Sequence, residues 1–226
     1  MRLVLLVFCL FLVSCSRPLS EGERAFVADL TGGDTFDAKP VRITADVPLG
    51  VATFEYKKRP RLACRERLFP EPKEKVITTS PAGVVLWNRL LTSEGWYLED
   101  YMPDYPEQIN LQAALFFAHE MTHVWQWQNR DITGFSPRRA AREHSTVGDP
   151  YQFELNTNTG FLDYAYEQQA SIVEEYLCCA ILDPTAPRTK RLKGLLDDVF
   201  PVEQLTRPEQ VYLPWEDAQL KGICRT

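Results

Sequence analysis

The sequence predicts an α+β fold with the strands first and the helices afterwards. Short β-branched stretches with alternating polarity recur between residues 39 and 92. Two long segments, 107–130 and 161–182, are free of proline and glycine and read as helices. No internal repeat or low-complexity tract divides the 226 residues, a length that suits one domain with a sizeable core.

The leader "MRLVLLVFCLFLVSC" stands apart from that fold. Arg2 precedes an apolar run from Leu3 to Val13, too short for a membrane-spanning helix of about 20 residues but suited to a signal-peptide core. Its end, Leu12-Val13-Ser14-Cys15, resembles the lipobox of bacterial lipoproteins. That likeness implies a signal peptide over 1–14, a mature domain over 15–226 and lipidation of Cys15, whose two or three acyl chains would anchor durably. An ordinary secretory peptide cut a few residues later is the competing reading. Ser16 stands where an aspartate would favour inner-membrane retention. The expectation is therefore a lipid-anchored, periplasm-facing protein of the outer membrane.

"LSEGERAFVADLTGGD" predicts a helix with Ser20 as N-cap, Glu23 three residues on and Gly32-Gly33 as its end. "KPVRITADVP" and "GVATFEYKK" predict strands, and residues 57–74 a loop containing Cys64. "KVITTS" and "GVVLWNRLL" predict a hairpin about Ser80–Gly83. "EGWYLEDYMPDYPE" is irregular and aromatic. "EQINLQAALFFAHEMTHVWQWQNR" is apolar nearly all round, as a buried helix is. "SPRRAAREHS" starts a short helix with Ser-Pro, and "DPYQFELNTNTG" is a loop or short strand. "FLDYAYEQQASIVEEYLCCAILDP" is the second long helix, stopped at Asp183-Pro184. "RTKRLKGLLDDVF" is a last short helix.

Export decides how the cysteines read. Cys9 leaves with the leader and Cys15 is acylated, so Cys64, Cys178, Cys179 and Cys224 remain for two disulfides. Neighbouring cysteines on a helix point in different directions, so Cys178 and Cys179 reach separate partners, tying Cys64 and Cys224 to one helix. Buried free thiols are the alternative. No CxxC spacing marks a cysteine metal site. The net charge of -6 argues against a nucleic-acid partner. The short basic runs "KKRPR" (57–61) and "SPRRAAR" (136–142) read as solvated surface.

The chemistry concentrates in His119-Glu120-Met121-Thr122-His123, which holds two of the chain's three histidines. On a helix, positions i and i+4 lie on one face about 5–6 Å apart, so both imidazoles can converge on one ion. Glu120 is turned about 100° away around the axis, which suits a general base acting on water beside the metal (Zn2+). The longer HExxHxxGxxH pattern is absent, with Gln126 and Asn129 at the glycine and third-histidine positions. The third ligand is then a later carboxylate or His144. Glu167, near the start of the second long helix, is preferred over His144 and Glu174. Ser171, one turn after Glu167, can hold the outer nitrogen of a ligand histidine. Glu174 and Glu175 read as surface or as supports behind the ligands. His144, Tyr151, Tyr164 and Tyr166 are candidate donors to a transition-state oxyanion, with an exposed histidine and packing tyrosines as the plainer readings. The alternation "WQWQ" reads as helix packing.

Together, "LSEGERAFVADLTGGDTFD", "AHEMTHVWQWQ", "PYQFEL" and "FLDYAYEQQASIVEEY" resemble the Vgr-related zincin-like metallopeptidases of bacteria, found near secretion-system genes. The resemblance implies a zincin-like domain, a small N-terminal sheet packed on an active-site helix and a second ligand-bearing helix. It also implies zinc on His119, His123 and Glu167, with Glu120 as base. It names no substrate, and the lipoprotein signal departs from an injected toxin. The expectation is an envelope-anchored zinc peptidase acting on peptide or protein. A non-catalytic lipoprotein that keeps zinc as a structural staple and binds a partner is the other reading.

Overall fold

The strands β1 (Ser16–Arg17), β2 (Arg42–Thr44), β3 (Phe54–Lys57), β4 (Val76–Thr79), β5 (Gly83–Leu86), β6 (Arg89–Thr92), β7 (Gln108–Asn110) and β8 (Gln210–Tyr212) form three small sheets. The structure is a computed structural model describing residues 16–146, 149–155 and 159–225, with the side chains of 144–146 and 203 left aside. The leader 1–14, Cys9 and Cys15 lie outside the described residues. Among the described residues no helix is long and apolar enough to cross a membrane.

The largest sheet runs β1-β2-β6-β5, with β2 and β6 parallel and the other pairs antiparallel. The hairpin differs from the sequence expectation. "KVITTS" forms β4 and pairs with β3, from Phe54↔Thr79 to Lys57↔Val76. "GVVLWNRLL" is itself a hairpin, β5 against β6, turning through Trp87 and Asn88. Ser80-Pro81-Ala82 instead carries the chain from one sheet to the next. The proline and glycine pointed to the wrong turn because Trp87 makes its turn in the left-handed region at φ 59, a conformation sequence rules reserve for smaller residues.

Helix α1 (Glu21–Thr31) has the reciprocal cap its sequence promises. Ser20 Oγ accepts the Glu23 N–H at 3.1 Å and the Glu23 carboxylate accepts the Ser20 N–H at 2.8 Å. Gly32 closes the helix at φ 78, where a Cβ is disfavoured. Residues 57–74 contain, besides loop, a single helical turn, α2 (Cys64–Arg67).

Asn110 caps α3 (Leu111–Gln128), its side chain accepting the Ala113 N–H at 3.1 Å. Leu111, Ala114, Phe117, Ala118, Met121 and Val124 are wholly enclosed, so the helix is covered on nearly every side. Trp125 is buried with them against Phe200, ring centroids 4.7 Å apart. The short helices α4 (Arg130–Thr133) and α5 (Pro137–Thr146) lead on to α6 (Tyr166–Leu182), and α7 (Pro187–Leu196) follows with proline in its first turn.

Helices α3 and α6 make the main packing layer and run antiparallel. Gln126 meets Tyr166 and Gln169 at one end, while His119 meets Glu174 at the other. Two disulfides hold α6 from outside, Cys64–Cys178 from α2 and Cys179–Cys224 from the C-terminal segment, with all four cysteines buried. The molecule is a mixed α+β single domain, with β5 and β7 packed against α3.

Candidate metal centre

Helix geometry brings His119 and His123 to the same face of α3, turned toward the first turn of α6, where Glu167 sits. Their three facing atoms form a nearly equilateral triangle. His119 Nε2 is 3.2 Å from Glu167 Oε2, His123 Nε2 is 3.3 Å from the same oxygen, and the two Nε2 atoms are 3.3 Å apart. Three corners of a tetrahedron around zinc, with bonds of about 2.0–2.1 Å, are separated by about 3.3 Å. Two imidazole nitrogens and one carboxylate oxygen at that spacing fit the ion. Among the described residues this group offers three donors, and all three residues line one cleft.

The outer nitrogens of the two histidines are held differently. His123 Nδ1 lies 2.8 Å from Gln126 Oε1, and Gln126 Nε2 donates to the Tyr166 carbonyl and to Gln169 Oε1. With the amide nitrogen committed to two acceptors, Oε1 must accept. His123 therefore carries its proton on Nδ1 and presents a lone pair on Nε2. His119 Nδ1 instead faces Glu174 Oε2 at 3.4 Å.

Electrostatics follow from burial and these neighbours. Burial alone would lower the His119 pKa, but hydrogen bonds and charge from Glu167 and Glu174 outweigh it and lift it to about 10. His123 is raised for the same reason, by Glu167 against burial. Burial raises Glu120, with the charges of the two histidines opposing. Glu174 falls to about 2, the Arg65 charge and His119 outweighing its own burial. Because the folded His119 pKa lies above its unfolded value near 6.5, metal-free protein keeps this stabilisation fully below pH 6.5 and loses it as pH rises to about 10. The thermal midpoint of chelator-stripped protein should fall across that window. Zinc-loaded protein should not show the loss, since the metal replaces the proton.

Glu120 is buried at the floor of the cleft, its carboxylate lying over Gly83 at the start of β5. A Cβ at Gly83 would fall 2.8 Å from Glu120 Oε1, so only glycine admits the carboxylate there undisturbed. Two lobes of about 250 and 370 Å³ meet at His119, Glu120 and Tyr151. The larger lobe runs between β5 and α5, past Val84, Phe135 and Ala140; the smaller one holds Trp96, Phe116, Arg59 and Arg65.

The other candidates separate. Tyr151 lines both lobes, its ring 5.8 Å from that of His119. Tyr164 does not belong to the cleft, because its hydroxyl donates to the Glu154 carbonyl at 2.8 Å. Tyr166 likewise donates to the Gly134 carbonyl, at 2.8 Å. Ser171 does not support a ligand histidine. Its hydroxyl accepts from Arg65 Nη1 at 3.3 Å, and the outer nitrogens already face Gln126 and Glu174. Glu175 is no surface residue; it is fully buried, accepting the Cys64 N–H and the Arg188 guanidinium. Nor is "KKRPR" all solvated surface, since Arg59 stacks on Tyr56 and Tyr151 and binds Asp149 with two nitrogens. The His144 side chain lies outside the described residues. Sequence reading missed Gln126 as a support, though its i+3 spacing from His123 is the signal. It also missed Gly83 and Arg65, which are remote in sequence and carry no local signal.

No protein-family model matches the chain. Over 187 residues it is 38% identical to the type VI secretion system spike protein VgrG2b of Pseudomonas aeruginosa. The chain is homologous to part of that spike protein. The match takes up 82% of this chain but only 15% of the spike protein's length. The solved effector domain of Pseudomonas aeruginosa VgrG2b is 26% identical, with a TM-score of 0.49 over 81% of this chain and 83% of that one.

Proposed function

We propose that the protein is a zinc-dependent hydrolase of zincin-like type acting on peptide or protein, and that it works in the cell envelope as an effector-like enzyme. The observation that carries this is the donor triangle of His119, His123 and Glu167, with Glu120 lining the same cleft. When bound there, zinc would supply Lewis acidity that acidifies water and polarises a carbonyl. His119 and His123 present Nε2 and Glu167 presents Oε2. The Glu120 carboxylate takes the proton from the attacking water and returns it to the leaving amine.

Peptide is the favoured substrate because β5 is an edge strand lining the cleft, and its unpaired edge can take an extended chain as one more strand. The two lobes share Glu120 in their lining and offer room for side chains near a scissile bond. Tyr151, which lines both lobes, is the residue to which we assign donation to an oxyanion. Similarity to part of a secretion-system spike protein supports a setting linked to secretion systems. The lipobox-like Leu12–Cys15 supports attachment to the periplasmic side of the outer membrane.

The test is metal content and hydrolysis of a denatured protein by the mature chain. One zinc per chain is expected, with hydrolysis abolished by a chelator and restored by added zinc. Protein that binds zinc yet cleaves nothing, and that loses the metal on His144→Ala, would favour the closed structural site instead.

A further inference from the structure

We propose that Arg65 and Glu174 are positioning residues for the metal ligand His119, and that the Cys64–Cys178 disulfide holds this pair in place; the inference rests on the zinc reading above. Glu174 lies two turns beyond Glu167 on α6, on the side that meets α3. One of its oxygens, Oε2, serves both neighbours: Arg65 Nη1 donates to it at 2.7 Å, and His119 Nδ1 faces it at 3.4 Å. A carboxylate behind a ligand imidazole sets the ring's orientation and increases its donor strength. The geometry makes the carboxylate's own position the point of control.

That position depends on Arg65. Its Nε donates to Glu66 Oε1 at 3.1 Å, Nη2 to the Tyr151 carbonyl at 3.3 Å, and Nη1 also to Ser171 Oγ at 3.3 Å. The planar fork is therefore fixed on every side, which a lysine ammonium could not reproduce. Arg65 stands on α2, a single helical turn of four residues that has little stability by itself. What seats α2 is the residue before Arg65. The Cys64 sulfur is bridged to Cys178, and its N–H donates to the Glu175 carboxylate at 2.8 and 3.0 Å. Cys178 is one turn after Glu174 on α6, just as Cys64 adjoins Arg65 on α2. Disulfide and ion pair are thus adjacent rungs between the same two elements. The other ligand, His123, is backed by the neutral amide of Gln126, which no disulfide touches directly. The two imidazoles are therefore supported unequally, and only His119 is linked to the cysteine staple.

The experiment is zinc affinity by competition with a chromophoric chelator, alongside the thermal midpoint of each metal-free variant. Glu174→Gln and the charge-neutral double variant Glu174→Gln/Arg65→Met should each weaken zinc binding about 10- to 100-fold. Arg65→Lys should recover only part of the loss. Cys64→Ala/Cys178→Ala should weaken binding by about tenfold or more, and adding Glu174→Gln to it should cost less than it does in the intact protein. Cys179→Ala/Cys224→Ala should leave affinity within about threefold, because that bridge leads to the C-terminal segment. In zinc-loaded protein the His119 Nδ1 proton resonance should move on Glu174→Gln while that of His123 stays. Folded Glu174→Gln and double variants that bind zinc as tightly as the unmodified chain would overturn the positioning role. A folded Cys64→Ala/Cys178→Ala variant of unchanged affinity would remove the disulfide from it. Unmodified protein that takes up no more zinc than His119→Ala would sink the zinc reading, and this proposal with it.

Discussion

Glu120→Gln is expected to lower the rate of hydrolysis about 10²- to 10⁴-fold, the range seen when a positioned acid–base group is removed. The amide keeps the shape of the side chain but cannot accept a proton. Zinc binding should persist, because Glu120 is not a corner of the donor triangle. Zinc titration beside turnover on a denatured protein reads both quantities. Equal turnover in the two proteins would remove Glu120 from the mechanism, and parallel loss of zinc and activity would make it a structural residue.

Gly83→Ala should lower turnover by about 10²-fold with little change in stability. The new methyl would lie 2.8 Å from Glu120 Oε1 and 2.9 Å from its Cδ, too close for either to remain. The groups that must yield are ends of flexible side chains, the carboxylate by turning away and Leu90 Cδ1, at 3.1 Å, by a few tenths of an ångström, so the fold relaxes cheaply. Catalysis cannot relax in that way, because a base displaced by about 1 Å no longer meets the water it should deprotonate. Zinc affinity should be unaffected, as the three atoms nearest that methyl position belong to Glu120 and Leu90 rather than to His119, His123 or Glu167. The thermal midpoint separates this from a folding defect. A large drop in midpoint, or full activity, would each contradict the expected geometry.

The second prediction joins a residue with a strong sequence signal, Glu120, to one with none, Gly83. The spacing His119–His123 is set by helix periodicity, and a buried helix was readable from its unbroken apolar sequence. The N-cap of α1 was readable for the same reason, since Ser20 and Glu23 act on backbone groups three residues away. The division of the cysteines between two partners also followed locally, from neighbouring residues pointing apart on a helix. The hairpin was misplaced because Trp87 takes a left-handed conformation without glycine, while the proline-bearing Ser80-Pro81-Ala82 passes between sheets.

What the sequence by itself determined is thus what short-range geometry governs: helix faces, caps, the α+β order of elements and the metal-type residue pattern on α3. What only the tertiary structure decided is which distant groups meet that pattern. Arg65 reaches Glu174, Gly83 makes room for Glu120, and Ser171 turns to Arg65 rather than to a histidine. Those meetings arise from chain closure, through the packing of α3 on α6, the Cys64–Cys178 bridge and the course of β5. No period or local propensity records them, because the partners are brought together by long-range packing and a covalent link.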